Sequence, residues 1–238
     1  LGLRRIGLEV ETFYVDRADE GMRAYYRMHE RLRASLRVVE PDVLHVMYGG
    51  VMADQVARRH HCCPTVVTFH GSDLLGENLS GWRRKWISRY GVHCSRRAAR
   101  RADGVIVVAE VLRAALPRRL DPRKIRVIPC GIDLERFRPL HRQSCRDQLG
   151  WVDKHFHVLF ASGAGDPVKR PELARAAVEV LNARDVVAEL HWLKGVPNED
   201  VPVWMNASDV LILTSLQEGS PTVVKEALAT ELPVVSVD

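Results

Sequence analysis

A succession of short apolar runs, each closed by glycine, proline or polar residues and followed by a helical pattern, constrains this chain more than any other feature. The runs are Val43 to Tyr48, Thr65 to Phe69, Gly104 to Ala109 and Lys124 to Pro129, then His157 to Ser162, Val187 to Leu193, Val210 to Thr214 and Pro233 to Val237. They are short, rich in β-branched residues and scarcely alternate, which is the pattern of strands buried on both faces of a parallel sheet. Between them lie helical periodicities. Residues 20–39 carry Met22, Tyr25, Met28, Leu32, Leu36 and Val39 at steps of three and four, and Leu173, Ala174, Ala177 and Leu181 follow Pro171 on one face. Strands alternating with helices predict an α/β chain with parallel sheets.

The alternation halts over residues 131–150, which are polar and irregular, and then restarts. Two Rossmann-like, doubly wound domains are therefore expected, residues 1–140 and 141–238, within the 238 residues available. Both are expected to be incomplete. Leu1 to Val10 reads as a helix end entering a strand, Val10 to Val15, and the chain stops directly after its last strand. A parallel βαβ unit calls for a further strand before the one and a further helix after the other.

Composition narrows the partners. The formal charge of +5 is too mild to name a ligand. Five cysteines, an odd set without CxxC spacing, suit a reduced compartment. His60-His61-Cys62-Cys63 suggests a metal, but no second ligand cluster follows at zinc-site spacing, so no metal site is expected. With no apolar run of membrane-spanning length and no signal-peptide pattern, a cytoplasmic location is expected. Between Glu77 and Asp103 stand eight arginines and lysines and no acidic residue, with Trp82 and Trp86 among them. The plain reading is a solvated basic helix face. The sharper one is peripheral contact with an anionic membrane, on its inner face, through residues 82–101. Nucleic acid is not expected, because no base-stacking or groove-reading module accompanies the charge.

The chemistry-bearing residues sit where strands end. After Val210 to Thr214 comes Glu218-Gly219-Ser220-Pro221, then a helical stretch containing Glu226. Gly219 and Ser220 supply the turn, and Pro221 suits the first helical position, where its missing N–H costs nothing. Unpaired N–H groups at that helix start attract anions and polar oxygens. Lys169 and Arg170, just before Pro171, fit phosphate contacts at another helix start. Gly163 to Val168 half resembles a dinucleotide fingerprint but lacks its third glycine. His70-Gly71-Ser72-Asp73 forms a polar loop after Thr65 to Phe69, and His70 has no nucleophile partner at a diagnostic spacing.

Taken in order, these residues are similar to the retaining glycosyltransferases of family four. The resemblance rests on His70-Gly71-Ser72-Asp73, Arg101 to Val108, Ile128 to Asp133 with Phe137 and Pro139, Lys169, Asn206 to Leu211, Glu218 to Leu228 with its Glu-x7-Glu, and Pro233 to Val235. It is strongest to the branch that builds cell-surface polysaccharides and runs from about residue 41 to 238. It implies a GT-B fold, an acceptor-side domain and a donor domain facing a cleft, and transfer of a sugar from a nucleotide diphosphate sugar to an acceptor hydroxyl. The acceptor would be a polysaccharide or a lipid-linked glycan; no cofactor and no obligatory metal are implied. By position, Glu218 would hold donor-sugar hydroxyls, with Gly219, Ser220 and Pro221 beside it. Glu226 would hold the ribose, Lys169 and Arg170 the diphosphate, and His70 the reacting centre. Gly71, Ser72 and Asp73 are candidates for the acceptor side of the cleft. Two positions depart from the family pattern. Ala164 stands where an arginine usually precedes the phosphate lysine, and Glu231 where a small residue is usual. Two alternatives therefore stay open, a nucleotide-sugar-binding fragment with impaired catalysis and a nucleotide-sugar epimerase of the same fold.

Overall fold

The computed structural model describes residues 2–15, 23–59, 62–76, 81–161, 168–216 and 218–237. The chain divides into two units, Leu1–Pro129 and Cys130–Asp238. Each contains one four-stranded parallel sheet.

The first unit carries α1 (Gly2–Arg5), α2 (Arg23–Val39), β1 (Leu44–Val46), α3 (Gly50–Ala57), β2 (Thr65–Phe69), α4 (Ser72–Leu75), α5 (Trp82–Arg101), β3 (Gly104–Val107), α6 (Glu110–Arg113) and β4 (Ile125–Val127). The sheet order is β1-β2-β3-β4, so the described strands follow one another in sequence. Residues 10–15, expected as a strand, join no sheet. On α2 the expected stripe packs inward through Met28, Leu32 and Leu36, whereas Val39 at the helix end is exposed and Met22 lies outside the described residues. The centre is made by Val67, Phe69, Val105 and Val107, all essentially without solvent contact. Small residues, Ala98 and Ala99 on α5 and Ala53 and Ala57 on α3, are buried where the two helices meet. Buried there too is Asp54, whose carboxylate is paired by Arg101 at 2.6 Å and Arg97 at 3.5 Å. Two of the eight basic residues on α5 thus serve Asp54 from the rim, since a buried carboxylate needs a partner.

The second unit contains α7 (Arg142–Leu149), β5 (Phe156–Phe160), α8 (Pro171–Asn182), β6 (Ala188–Trp192), α9 (Val201–Ala207), β7 (Val210–Leu213), α10 (Thr222–Ala229) and β8 (Val234–Ser236). Its sheet order is β6-β5-β7-β8. Alternate side chains of β5 face opposite ways. Val158 packs with Val178 of α8 and Ala188, while Leu159 packs with Met205 of α9, Leu211 and Ala227 of α10. Helices therefore cover both faces, as double winding requires.

The stretch 131–150, read from sequence as irregular, is more structured than that. Asp133 caps a turn by accepting from the Glu135 and Arg136 N–H groups, Phe137 is buried in the second core, and α7 follows. The division consequently falls at Pro129/Cys130, ahead of the expected residue 140.

The Asn206-Ala207-Ser208-Asp209 run has a packing role that spacing could not show. Asn206 accepts from the Leu140 N–H at 2.7 Å and donates to the carbonyls of Arg138 and Pro202, fastening α9 to the connection. Asp209 accepts from the His157 N–H at 2.8 Å and from Arg146 Nη2 at 2.8 Å. The buried Arg146 also donates to the Ala207 carbonyl and to Asp153. One guanidinium thus ties α7 to the starts of β5 and β7. Removing one partner of a buried pair leaves the other charge uncompensated. Arg146→Ala should lower the unfolding free energy by roughly 3–5 kcal/mol, read from urea transitions. Arg142→Ala, which removes a half-exposed pair to the same Asp209 at 3.1 Å, should cost less than about 1 kcal/mol.

Candidate functional site

In the second unit the strand order reverses at β5, with β6 on one side and β7 on the other. Loops leaving the carboxyl ends of two such strands part in opposite directions and open a crevice, the usual ligand position in an open α/β sheet. The segment after β5 returns at residues 168–170, and that after β7 spans residues 214–221.

These segments are laced together. The buried Thr214 hydroxyl lies 2.6 Å from the Lys169 carbonyl and 3.0 Å from that of Arg170. Arg170 Nε donates to the Thr214 carbonyl at 2.6 Å, and the Leu216 N–H to the Val168 carbonyl at 2.9 Å. Arg170 caps α8 in a left-handed conformation, φ 48°, which a non-glycine residue adopts only when its surroundings hold it there. Here two side chains meet: Lys169 Nζ donates to Glu218 Oε1 at 2.5 Å, both partly exposed. The structure thus brings together two of the expected residues and gives Arg170 Nε a backbone partner.

Gly219 and Ser220 are half-buried beside Glu218. Pro221 is the N-cap of α10, one position earlier than expected, and supplies no side-chain cap to the first N–H groups of the helix. Glu226 lies farther along α10, half-buried. Burial raises its carboxyl above the ordinary 4.5, with Arg136 pulling the other way. Lys225 Nζ donates to the Cys130 carbonyl at 2.9 Å, anchoring the helix to the start of the unit. Two buried polar atoms among the described residues, Arg136 Nη2 and Ser215 Oγ, have no hydrogen-bond partner. Such atoms are uncommon in folded proteins, and both belong to residues that sequence reasoning passed over. Ala164, where an arginine was looked for, lies outside the described residues, as do Gly163, Gly165, Asp166 and Pro167.

In the first unit the loops after β1 and β2 meet. The Asp73 carboxylate accepts from the backbone N–H groups of Gly49 at 3.0 Å, His70 at 3.1 Å and Gly71 at 2.9 Å. It is 5% exposed, and its oxygens close the loop by gathering these amides. Gly71, at φ 145°, is buried in the same turn. Ser72 is exposed and bonded to the Tyr48 hydroxyl at 2.6 Å, and the Tyr48 ring stacks beside His70 with centroids 6.1 Å apart. Gly49 permits this approach, since a Cβ there would lie 2.6 Å from Ser95 Oγ and 2.8 Å from the Phe69 ring. Tyr48 and Gly49 carried no motif signal; only strand adjacency places them at His70.

On α5 the first turns stand clear. Trp82, Trp86, Ile87 and Tyr90 are exposed, the first, second and fourth at steps of four along one stripe, and Arg83 lies over the Trp82 ring at 5.3 Å. Among the described residues no helix is long and apolar enough to cross a membrane. Cys62 is exposed and Cys63 buried, while His60 and His61 lie outside the described residues. A metal-ligand donor set does occur elsewhere, in His157, Glu189 and His191 on β5 and β6.

Two parallel α/β units, the second with a strand-order reversal, agree with a fold of the GT-B kind. The family model for glycosyltransferase family 4 matches residues 6–136 and that for group 1 glycosyl transferases residues 151–238, and the chain belongs to this family. It is 27% identical over 229 aligned positions to the Escherichia coli UDP-Gal:alpha-D-GlcNAc-diphosphoundecaprenol alpha-1,3-galactosyltransferase, covering 82% of this chain and 57% of that protein. It is 27% identical over 264 aligned positions to the Bacillus subtilis putative teichuronic acid biosynthesis glycosyltransferase TuaC, covering 98% and 64%. The chain thus spans about three-fifths of the length of these relatives. Among solved structures, sucrose-phosphate synthase from Thermosynechococcus elongatus superposes with a TM-score of 0.68 at 18% identity, covering 94% of this chain and 62% of that one. Anabaena Alr3699/HepE in complex with UDP gives 0.62 at 18%, covering 98% and 68%.

The Glu226 environment has a measurable consequence. Its folded carboxyl holds a proton more tightly than in the unfolded chain, so stability contributed by the protonated form is lost as pH rises from 4.5 through the raised value. Glu226→Gln should therefore gain stability over the wild type at neutral pH and lose that advantage below 4.5. Urea midpoints of both proteins across this range check it; an advantage independent of pH would contradict the assignment.

Proposed function

We propose that this chain transfers a sugar, with retention at the anomeric carbon, from a nucleotide diphosphate sugar to a hydroxyl of a lipid-linked or polysaccharide acceptor in cell-surface glycan assembly. The observation that carries the reading is the Lys169–Glu218 pair beside the α10 N-terminus at the strand-order reversal. A diphosphate leaving group needs positive charge and N–H dipoles aimed at the charge it develops. Lys169 and the first N–H groups of α10 have that character, and no divalent cation is required in the donor site. When a diphosphate takes Lys169, Glu218 is released to accept hydrogen bonds from sugar hydroxyls, and an ionised carboxylate can orient two of them. Glu226 would accept from ribose hydroxyls, and Arg136 and Ser215 offer further polar atoms to the donor. By the family resemblance alone, His70 would stabilise the reacting centre. The names of the E. coli and B. subtilis relatives support the acceptor class.

The stripe of Trp82, Trp86 and Tyr90 with its basic neighbours supports peripheral binding to an anionic membrane surface. Cosedimentation with phosphatidylglycerol vesicles, weakened by a Trp82→Ala/Trp86→Ala double variant and by salt, is the expected result. Equal binding to phosphatidylcholine vesicles would count against the charge component.

A second reading, nucleotide-sugar binding without turnover, rests on Ala164 standing where the family carries an arginine. Release of nucleoside diphosphate from a panel of nucleotide sugars, with and without a polyprenyl-linked acceptor, separates the readings. Acceptor-dependent release supports transfer, binding without release the second reading, and acceptor-independent sugar release an epimerase or hydrolase. Under the transfer reading, Lys169→Ala and Glu218→Ala should each lower turnover by about 100-fold or more. Wild-type rates in either variant would sink the residue assignment.

A further inference from the structure

We propose that His157, Glu189 and His191 form a zinc-class transition-metal site that braces β5 to β6, separate from the donor loops. Parallel register sets His157 opposite Glu189, and His191 follows two residues later on the same face. His157 Nδ1 lies 2.9 Å from His191 Nε2, and Glu189 Oε2 lies 3.9 Å and 3.7 Å from those two nitrogens. Bonds of about 2.0–2.1 Å to a tetrahedral ion put ligand atoms about 3.3–3.4 Å apart, and the three observed spacings bracket that edge.

The surroundings orient each donor as ligands are oriented in metal sites. His157 is fully buried, and its Nε2 donates to the Val152 carbonyl at 2.9 Å. A carbonyl only accepts, so the proton is on Nε2 and the Nδ1 lone pair is turned toward His191 and Glu189. The other oxygen of Glu189, Oε1, is held by His155 Nδ1 at 2.5 Å, which aims Oε2 at the pair of imidazoles. Trp151 lies flat on His191, with centroids 3.6 Å apart and planes 10° apart, and Trp204 stands edge-on to Trp151 at 5.3 Å.

A hydrogen-bonded cluster without metal accounts for only part of this. One proton between His157 Nδ1 and His191 Nε2 satisfies those two nitrogens. It leaves Glu189 Oε2 beyond hydrogen-bond reach of both rings, yet only a few tenths of an ångström outside the tetrahedral edge. An ion displaces that proton and uses all three donors. Two imidazoles and one carboxylate suit zinc and its neighbours rather than magnesium or calcium, which take oxygen ligands. Entry is from the Glu189 side, the most exposed of the three at 40%, and the fourth position is left to water.

His157 and Glu189 are the second residues of their strands, whereas Lys169 and Glu218 follow the carboxyl ends of β5 and β7. The ion is therefore structural, and its test does not depend on sugar transfer. The whole chain, stripped with EDTA and dialysed, is titrated with zinc chloride against a chromophoric chelator, followed by thermal unfolding with and without zinc. One zinc per chain and a raised midpoint are expected in the wild type. Glu189→Gln, a near-isosteric change at a partly exposed residue, should weaken binding at least about tenfold, and His191→Gln should abolish it along with the zinc-dependent rise. Four-coordinate visible absorption from cobalt(II), lost in Glu189→Gln, would support the donor set. No zinc retained by the wild type, undiminished binding in both variants, or equal competition from magnesium would each overturn the proposal.

Discussion

The second unit depends on β5 being paired in parallel on both sides. A parallel sheet sends every strand the same way, so all returning loops gather at one edge. Reversal of strand order at β5 then makes the loops after β5 and β7 neighbours. Without that pairing, Lys169 and Glu218 are separated by a helix, a strand, a helix and another strand. With it, their charged atoms touch. The buried Thr214 hydroxyl and the strained Arg170 backbone hold the meeting point in place, so the pair sits on a braced edge rather than on two independent loops.

Charges in the interior serve the same end. Arg146 gathers Asp209, Asp153 and the Ala207 carbonyl, and Asp209 in turn caps the N–H of His157 at the start of β5. Asp54 does comparable work in the first unit through Arg97 and Arg101, and Asp73 by collecting three backbone N–H groups around His70. Each is a polar group in a position where it must be satisfied. Each therefore fixes a loop or helix end that apolar packing alone would leave adjustable.

How far the molecule can be read without coordinates differs from residue to residue. Strand and helix types were legible because burial on two faces leaves β-branched runs, and one-sided burial leaves steps of three and four. Residues 10–15 misled because an apolar, β-prone run shows capacity for pairing and says nothing about a partner. The 131–150 stretch misled in the other direction: Phe137 stands between Arg136 and Arg138, and its burial depends on a core assembled from residues far along the chain. The amide partners of Asp73 were not legible, because a carboxylate in a strand-end loop is exposed more often than it is enclosed. Tyr48, Gly49, Arg136 and Ser215 gave no signal, since each matters only through a neighbour distant in sequence.

By itself the sequence determined the layered α/β architecture, the places where charged residues follow strand ends, and the family to which the chain belongs, because these follow from local periodicity and ordered short motifs. Only the tertiary structure decided which of those residues meet: that Lys169 faces Glu218, that Asp73 gathers backbone amides, and that His157, Glu189 and His191 converge. The physical reason is register. Parallel pairing sets one residue opposite another across any length of intervening chain, and no local pattern records it.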